Sequence, residues 1–207
     1  MHKIVKMNFS GPIPHYVLAS QLGDVKHPEQ KIKYLKSKGE ISSLIRGLYL
    51  QKNSKYSKFQ IANVLYGPSY VTGITVLSWL GWISERAVTI HSATIKRGKS
   101  VDTPVGRFEY FHLNTEVFHF GIQHYNFGPG MSCIMASPTK ALYDHILMTP
   151  NLQFSGKLDL LTYLEDDLRM DTDLIKEIDI KLLEQLMDFG EKKRQITILY
   201  NLVKTYL

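Results

Sequence analysis

Between Ile13 and Gln51 the sequence changes its period twice, and few folds accommodate that change. Ile13, Val17 and Leu18 stand at i, i+4 and i+5 before Gly23, the pattern of a short helix with a stop. After a tight turn, Pro28 suits a first helical turn, Ile32 and Leu35 form an apolar stripe, and Gly39 sits where a C-terminal cap belongs. Glu40 to Gln51 (EISSLIRGLYLQ) then mixes β-branched and aromatic residues around Gly47, which predicts a two-stranded ribbon bending near Ser42 to Leu44. Helix, turn, helix and ribbon describe a winged helix.

Charge singles out the same block. Residues 1 to 60 carry eleven Lys or Arg against three Asp or Glu, whereas residues 61 to 207 carry fourteen against sixteen. A module at +8 therefore adjoins a body at −2. Basic groups clustered on one element release condensed counterions when they meet nucleic acid, which makes double-stranded DNA the expected partner. Turning the second helix at 100° per residue with Ile32 and Leu35 inward directs Gln30, Lys33, Tyr34 and Ser37 outward and leaves Lys31, Lys36 and Lys38 on the flanks. Gln30, Ser37 and Lys33 then suit base edges, the flanking lysines suit phosphates, and Arg46 on the ribbon suits a minor groove. The bland alternative is a solvated, lysine-rich face.

Lys52 to Lys58 (KNSKYSK) is polar and charged, and it reads as a linker placing a boundary near residue 57. Beyond it, Phe59 to Leu65 and Thr72 to Leu80 are periodic enough for helices, separated by Gly67, Pro68 and Ser69. Ala87 to Ile95, Val105 to Leu113 and Val117 to Gln123 are candidate strands, and Ser137 with Pro138 starts a helix running to about Met148. From Gly156 onward the chain reads as helical. That last part is acidic, with Glu165, Asp166, Asp167, Asp171 and Asp173 nearly consecutive, which suits a solvated face or contact with a basic partner. At 44% hydrophobic, 207 residues suffice for a real core. No apolar run approaches the roughly 20 residues of a membrane helix, and Met1 to Ser10 lacks a signal-peptide core. A cytoplasmic protein without membrane contact is expected.

Residues that invite chemistry have simpler explanations. Asp102 and Glu109 have the spacing of a magnesium nuclease, but the lysine expected two positions after Glu109 is Phe111; pairing of Glu109 with Arg107 or Lys99, and a solvent-facing Asp102 in a turn, are expected instead. His112, His119 and His124 are separated by six and four residues, which matches no usual zinc pattern. Cys133, the single cysteine, lies in an apolar run and reads as an inert thiol. Gly128-Pro129-Gly130 is a turn, and Ser137 a helix cap. Neither catalysis, a cofactor nor a metal is expected. Lys140 and Asp144, at i and i+4, suit an intrahelical pair with Tyr143 beside them, by default structural, with an interaction role as the sharper alternative.

The order of these segments resembles a family. Arg46-Gly47-Leu48-Tyr49, then Tyr70-Val71-Thr72-Gly73-Ile74-Thr75-Val76-Leu77 before Leu80-Gly81-Trp82, then Val88-Thr89-Ile90, Lys96-Arg97-Gly98, Gly106-Arg107-Phe108-Glu109-Tyr110-Phe111-His112 and Ala136-Ser137-Pro138-Thr139-Lys140-Ala141-Leu142-Tyr143-Asp144, are similar to the successive blocks of the AbiEi-type antitoxins of abortive-infection systems. The resemblance spans about residues 15 to 205. It implies a type IV toxin–antitoxin pair in which an N-terminal winged helix represses its own promoter and a C-terminal domain counters a nucleotidyltransferase-like toxin. Antitoxicity comes from the resemblance alone.

The expectation is thus an α+β protein, with a winged-helix DNA-binding domain over residues 1–57 and, over 58–207, an antitoxin-type domain of helices on an antiparallel sheet with a helical C-terminal part. Its expected role is antitoxin and transcriptional repressor. The alternatives are a degenerate nuclease-like nucleic-acid-binding protein and an interaction module with an incidental basic end.

Overall fold

The structure is a computed structural model, and it describes residues 9–23, 25–189 and 191–207. Lys3, Lys6 and Asp24 of the basic block, and residues 1–8 of the segment tested for a signal peptide, lie outside the described residues.

The N-terminal module comprises β1 (Ile13–Pro14), α1 (His15–Gln21), α2 (Pro28–Ser37), β2 (Ile41–Ile45) and β3 (Leu48–Gln51). The strands form an antiparallel sheet in the order β1-β3-β2. Ile13, expected in the first helix, instead pairs with Tyr49. It precedes Pro14, whose ring disfavours helical backbone at the residue before it. The ribbon also bends later than expected: Ser42 to Leu44 lie inside β2, and the reversal is at Arg46 and Gly47. Gly47 has φ of 81°, a left-handed conformation that costs glycine little. Gly39, at φ 67°, does end α2, with its N–H donating to Lys36 O.

α3 (Lys58–Leu65) leads into the body, followed by β4 (Ser69–Val71), α4 (Ile74–Trp79), β5 (Ile90–Thr94), β6 (Lys99–Thr103), β7 (Gly106–His112), α5 (Thr115–Phe118), β8 (Ile122–Asn126), β9 (Ser132–Ala136) and α6 (Pro138–Met148). The strands form one sheet in the order β6-β7-β5-β4-β9-β8. The architecture is α+β, but the sheet is mixed rather than antiparallel: β5 runs parallel to β7, and β4 parallel to β9. The strand expected over Val117 to Gln123 is split. Val117 and Phe118 belong to α5, and the chain enters β8 only after Gly121, at φ 62°. A Cβ there would lie 2.7 Å from Leu182 Cδ2 and 2.9 Å from Lys140 Cβ, so glycine is needed for space as well as for φ.

α7 (Lys157–Thr162), a π-helical turn (Tyr163–Asp167), a 3-10 segment (Thr172–Glu177), α8 (Ile180–Met187) and α9 (Lys193–Val203) complete the chain. Among the described residues, no helix is long and apolar enough to cross a membrane.

β3 is buried on both faces, and strand alternation explains how. Tyr49 joins Ile13, Leu18, Leu22, Ile32, Leu35 and Ile41 in the module's own core. Leu48 and Leu50, with Leu44 from β2, point the other way into the core of the body. The ribbon is a wall shared by both.

Candidate nucleic-acid interface

α2 buries Ile32 and Leu35 and exposes Gln30, Lys33, Tyr34, Lys36, Ser37 and Lys38, while Lys31 is half-buried. Burying two such aliphatic side chains contributes about 1.5–3 kcal/mol each, which fixes the rotation of the helix. Tyr34 then acts as a platform. Its ring, half exposed, lies 4.9 Å from Lys31 Nζ and 5.8 Å from Lys38 Nζ, three residues before it and four after. Lys31 and Lys38, both expected on the flanks of the helix, thus lie against the same aromatic ring. Ser37 Oγ donates to Tyr34 O at 2.8 Å, so its hydroxyl is left to accept rather than donate.

The acid of this helix is already engaged. Glu29 Oε1 lies 3.0 Å from His15 Nε2, and His15 Nδ1 lies 3.2 Å from Tyr49 OH, tying α1, α2 and the ribbon together. Among the described residues, no carboxylate lies within ion-pair distance of Lys31, Lys33, Lys36, Lys38 or Arg46. Arg46 is exposed at the tip of the ribbon, where the turn at Gly47 places it.

The body explains its charged residues internally. Asp102, on strand β6 rather than in a turn, lies 3.6 Å from Arg107 Nη1, and Arg107 Nε donates to Glu109 Oε1 at 2.9 Å. The guanidinium thus stands between the two carboxylates, and these interactions raise its pKa. Phe111 packs against His91 at 5.4 Å, and His91 Nε2 lies 3.7 Å from Glu109 Oε2. His112 Nδ1 is 3.1 Å from Lys96 O, His119 stacks edge-on against Phe118, and His124 is exposed on β8. Among the described residues, no group of three His, Cys, Asp or Glu is placed to hold a metal ion. Cys133 is buried on β9, and burial pushes its thiol up to about 12.

Lys140, Tyr143 and Asp144 are fully buried, which removes them from any interaction surface. Lys140 Nζ donates to Asp144 Oδ1 at 2.5 Å, while Tyr70 and Thr72 hydroxyls donate to Asp144 Oδ2 at 2.8 and 2.7 Å. Tyr70 and Tyr143 rings flank the ammonium at 5.7 and 4.9 Å. Burial, with Asp144 beside it, holds the Tyr70 phenol protonated well above its usual range. Nothing in the i, i+4 spacing distinguishes this buried pair from a surface one. Ser137 Oγ accepts from Lys140 N, the helix cap expected of it.

No protein-family model matches the chain, and no curated protein matches it in sequence. Its fold is similar to that of the RV2827C protein from Mycobacterium tuberculosis, whose crystal structure superposes with a TM-score of 0.56, covering 93% of this chain and 72% of that one at 13% identity. At that identity the likeness shows the shared architecture alone.

Proposed function

We propose that this protein binds double-stranded DNA through α2 and the ribbon, and that it is the antitoxin and transcriptional autorepressor of a type IV toxin–antitoxin pair. The observation that carries the DNA half is the set of five basic side chains on α2 and the ribbon tip with no acidic partner among the described residues. Cations left unpaired by the protein are available to phosphates, and neutralising those phosphates gives binding that weakens steeply with salt. Gln30 and Lys33 face outward between them and read base edges in the major groove. Arg46 enters the adjacent minor groove.

The antitoxin half rests on the resemblance of the segments from Arg46-Gly47-Leu48-Tyr49 to Ala136 through Asp144, and the partner it implies is a nucleotidyltransferase-like toxin. The reading requires no catalysis by this chain. The experiment is a titration of the whole chain on its own upstream DNA at several salt concentrations, beside the variant Lys33→Glu/Lys36→Glu. Loss of binding in the variant with an unchanged melting temperature is the expected result; equal binding by both proteins overturns the DNA reading. Coexpression with the product of the neighbouring gene tests the other half, with restored growth expected and unrelieved toxicity against it.

A further inference from the structure

The body carries a cleft of about 880 Å³ that DNA binding through α2 leaves unused. It is lined by Lys58 and Phe59 at the start of α3, by Ser78 and Trp79 on α4, and by Arg86 and Val88 on the segment between α4 and β5. Trp79 is 42% exposed, yet its orientation is fixed. Phe59, Tyr125 and Phe127 meet the indole nearly at right angles, with interplanar angles of 79°, 89° and 82° and centroids 6.0, 5.3 and 5.8 Å away. Edge contacts of this kind hold a ring while leaving surface for another flat group.

The charges around the cleft are unbalanced. Lys58 and Arg86 are exposed, and among the described residues neither has a carboxylate within ion-pair distance. The carboxylate lining the cleft, Glu85, is exposed and pairs at 3.4 Å with Arg169 Nη1 rather than with Lys58 or Arg86. Thr75 is occupied, its hydroxyl donating to Thr89 O and accepting from His91 N. Ser78 Oγ accepts from Ala87 N, which leaves its proton free to donate.

A rigid, half-exposed indole selects a flat aromatic group, and two unpaired cations beside it select an anion. We propose that this cleft binds a nucleotide, the base against Trp79 and the phosphate on Lys58 and Arg86. The same chemistry is offered by a free mononucleotide and by an unpaired nucleotide of a single strand. The site is separate from α2, so it stands or falls independently of duplex binding.

Trp79 supplies its own reporter, because Trp82, the other tryptophan, is buried. The whole chain is titrated with adenosine and guanosine monophosphates and triphosphates, with a short oligodeoxyadenylate, and with duplex DNA, following indole fluorescence. Saturable quenching that disappears in Trp79→Phe is expected, from the free nucleotides if they are the source or from the single strand alone if it is. Lys58→Glu/Arg86→Glu, at two exposed positions, weakens it by about tenfold or more. Absence of quenching by every nucleotide and by the single strand, or quenching unaltered in the double variant, overturns the proposal.

Discussion

Four lysines on α2 and at its C-terminal cap face solvent or half-face it without a carboxylate, whereas Lys140 on α6 is fully buried against Asp144, Tyr70 and Tyr143. The residue type is the same, and the environment decides what its charge does. On α2 the charge costs little to maintain in water and remains available to a partner. In the body it is committed to the protein's own interior, where desolvation is offset only if every hydrogen bond is made. A lysine count therefore locates neither binding nor stability until each ammonium has been assigned a neighbour.

The comparison is broken most directly at Asp144. Asp144→Ala leaves Lys140 buried without its counter-ion, and chemical denaturation is expected to show a loss of about 3–5 kcal/mol. Lys140→Met/Asp144→Leu, which removes both charges, is expected to cost much less, and an equal loss in the two proteins would show that packing rather than charge is responsible.

A second, smaller effect comes from acid. Burial, with His91 and Lys192 nearby, lowers the pKa of His145 from 6.5 to about 4, and its Nε2 lies 2.8 Å from Tyr163 OH. Because the folded imidazole holds a proton less well than the unfolded one, stability is at its full value above pH 6.5 and drains away as the pH falls through that value toward 4. A loss of about 2–3 kcal/mol across that window is expected from urea midpoints, and His145→Gln should flatten it. Binding by α2 should show no such stability-linked collapse above pH 6.5.

On the exposed side the effects concern recognition. Gln30→Ala should cost about 1–3 kcal/mol on the operator and little on random DNA. Lys38→Ala should weaken both alike and lower the salt slope by about one. Sequence-selective loss from Lys38→Ala, in paired titrations, would show that the lysine held by Tyr34 reads bases. Smallest of all, Ser57→Ala removes the side chain that accepts from Phe59 N at the start of α3, and thermal melts should register about 1 kcal/mol.

The elements legible in the sequence are those whose signals are local. Pro28, Ile32, Leu35 and Gly39 give the limits of α2, and Ser137 with Pro138 gives the start of α6, because caps and stripes act within one helix. β4, β6 and β9 carry short or polar segments that become strands only through neighbours distant in sequence. Parallel pairing of β5 with β7 has no local signature at all. The outward face of α2 was legible by rotation, but the gathering of Lys31 and Lys38 on Tyr34 depends on rotamers that a helical wheel does not contain. Trp79 has no such local signal, because one tryptophan in an apolar helix reads as core until Phe59, Tyr125 and Phe127 are brought around it.

The shared ribbon couples events that a bead-on-string arrangement would keep apart. Tyr49 closes one core while Leu48 and Leu50 close the other, so the strand cannot detach from either without opening both. If α2 and Arg46 hold DNA as proposed, that DNA also braces the body at a distance: the body's residues should become harder for a protease to reach, and their amide protons slower to exchange. Conversely, a load that pries at the body should loosen the packing of Tyr49 beneath α2.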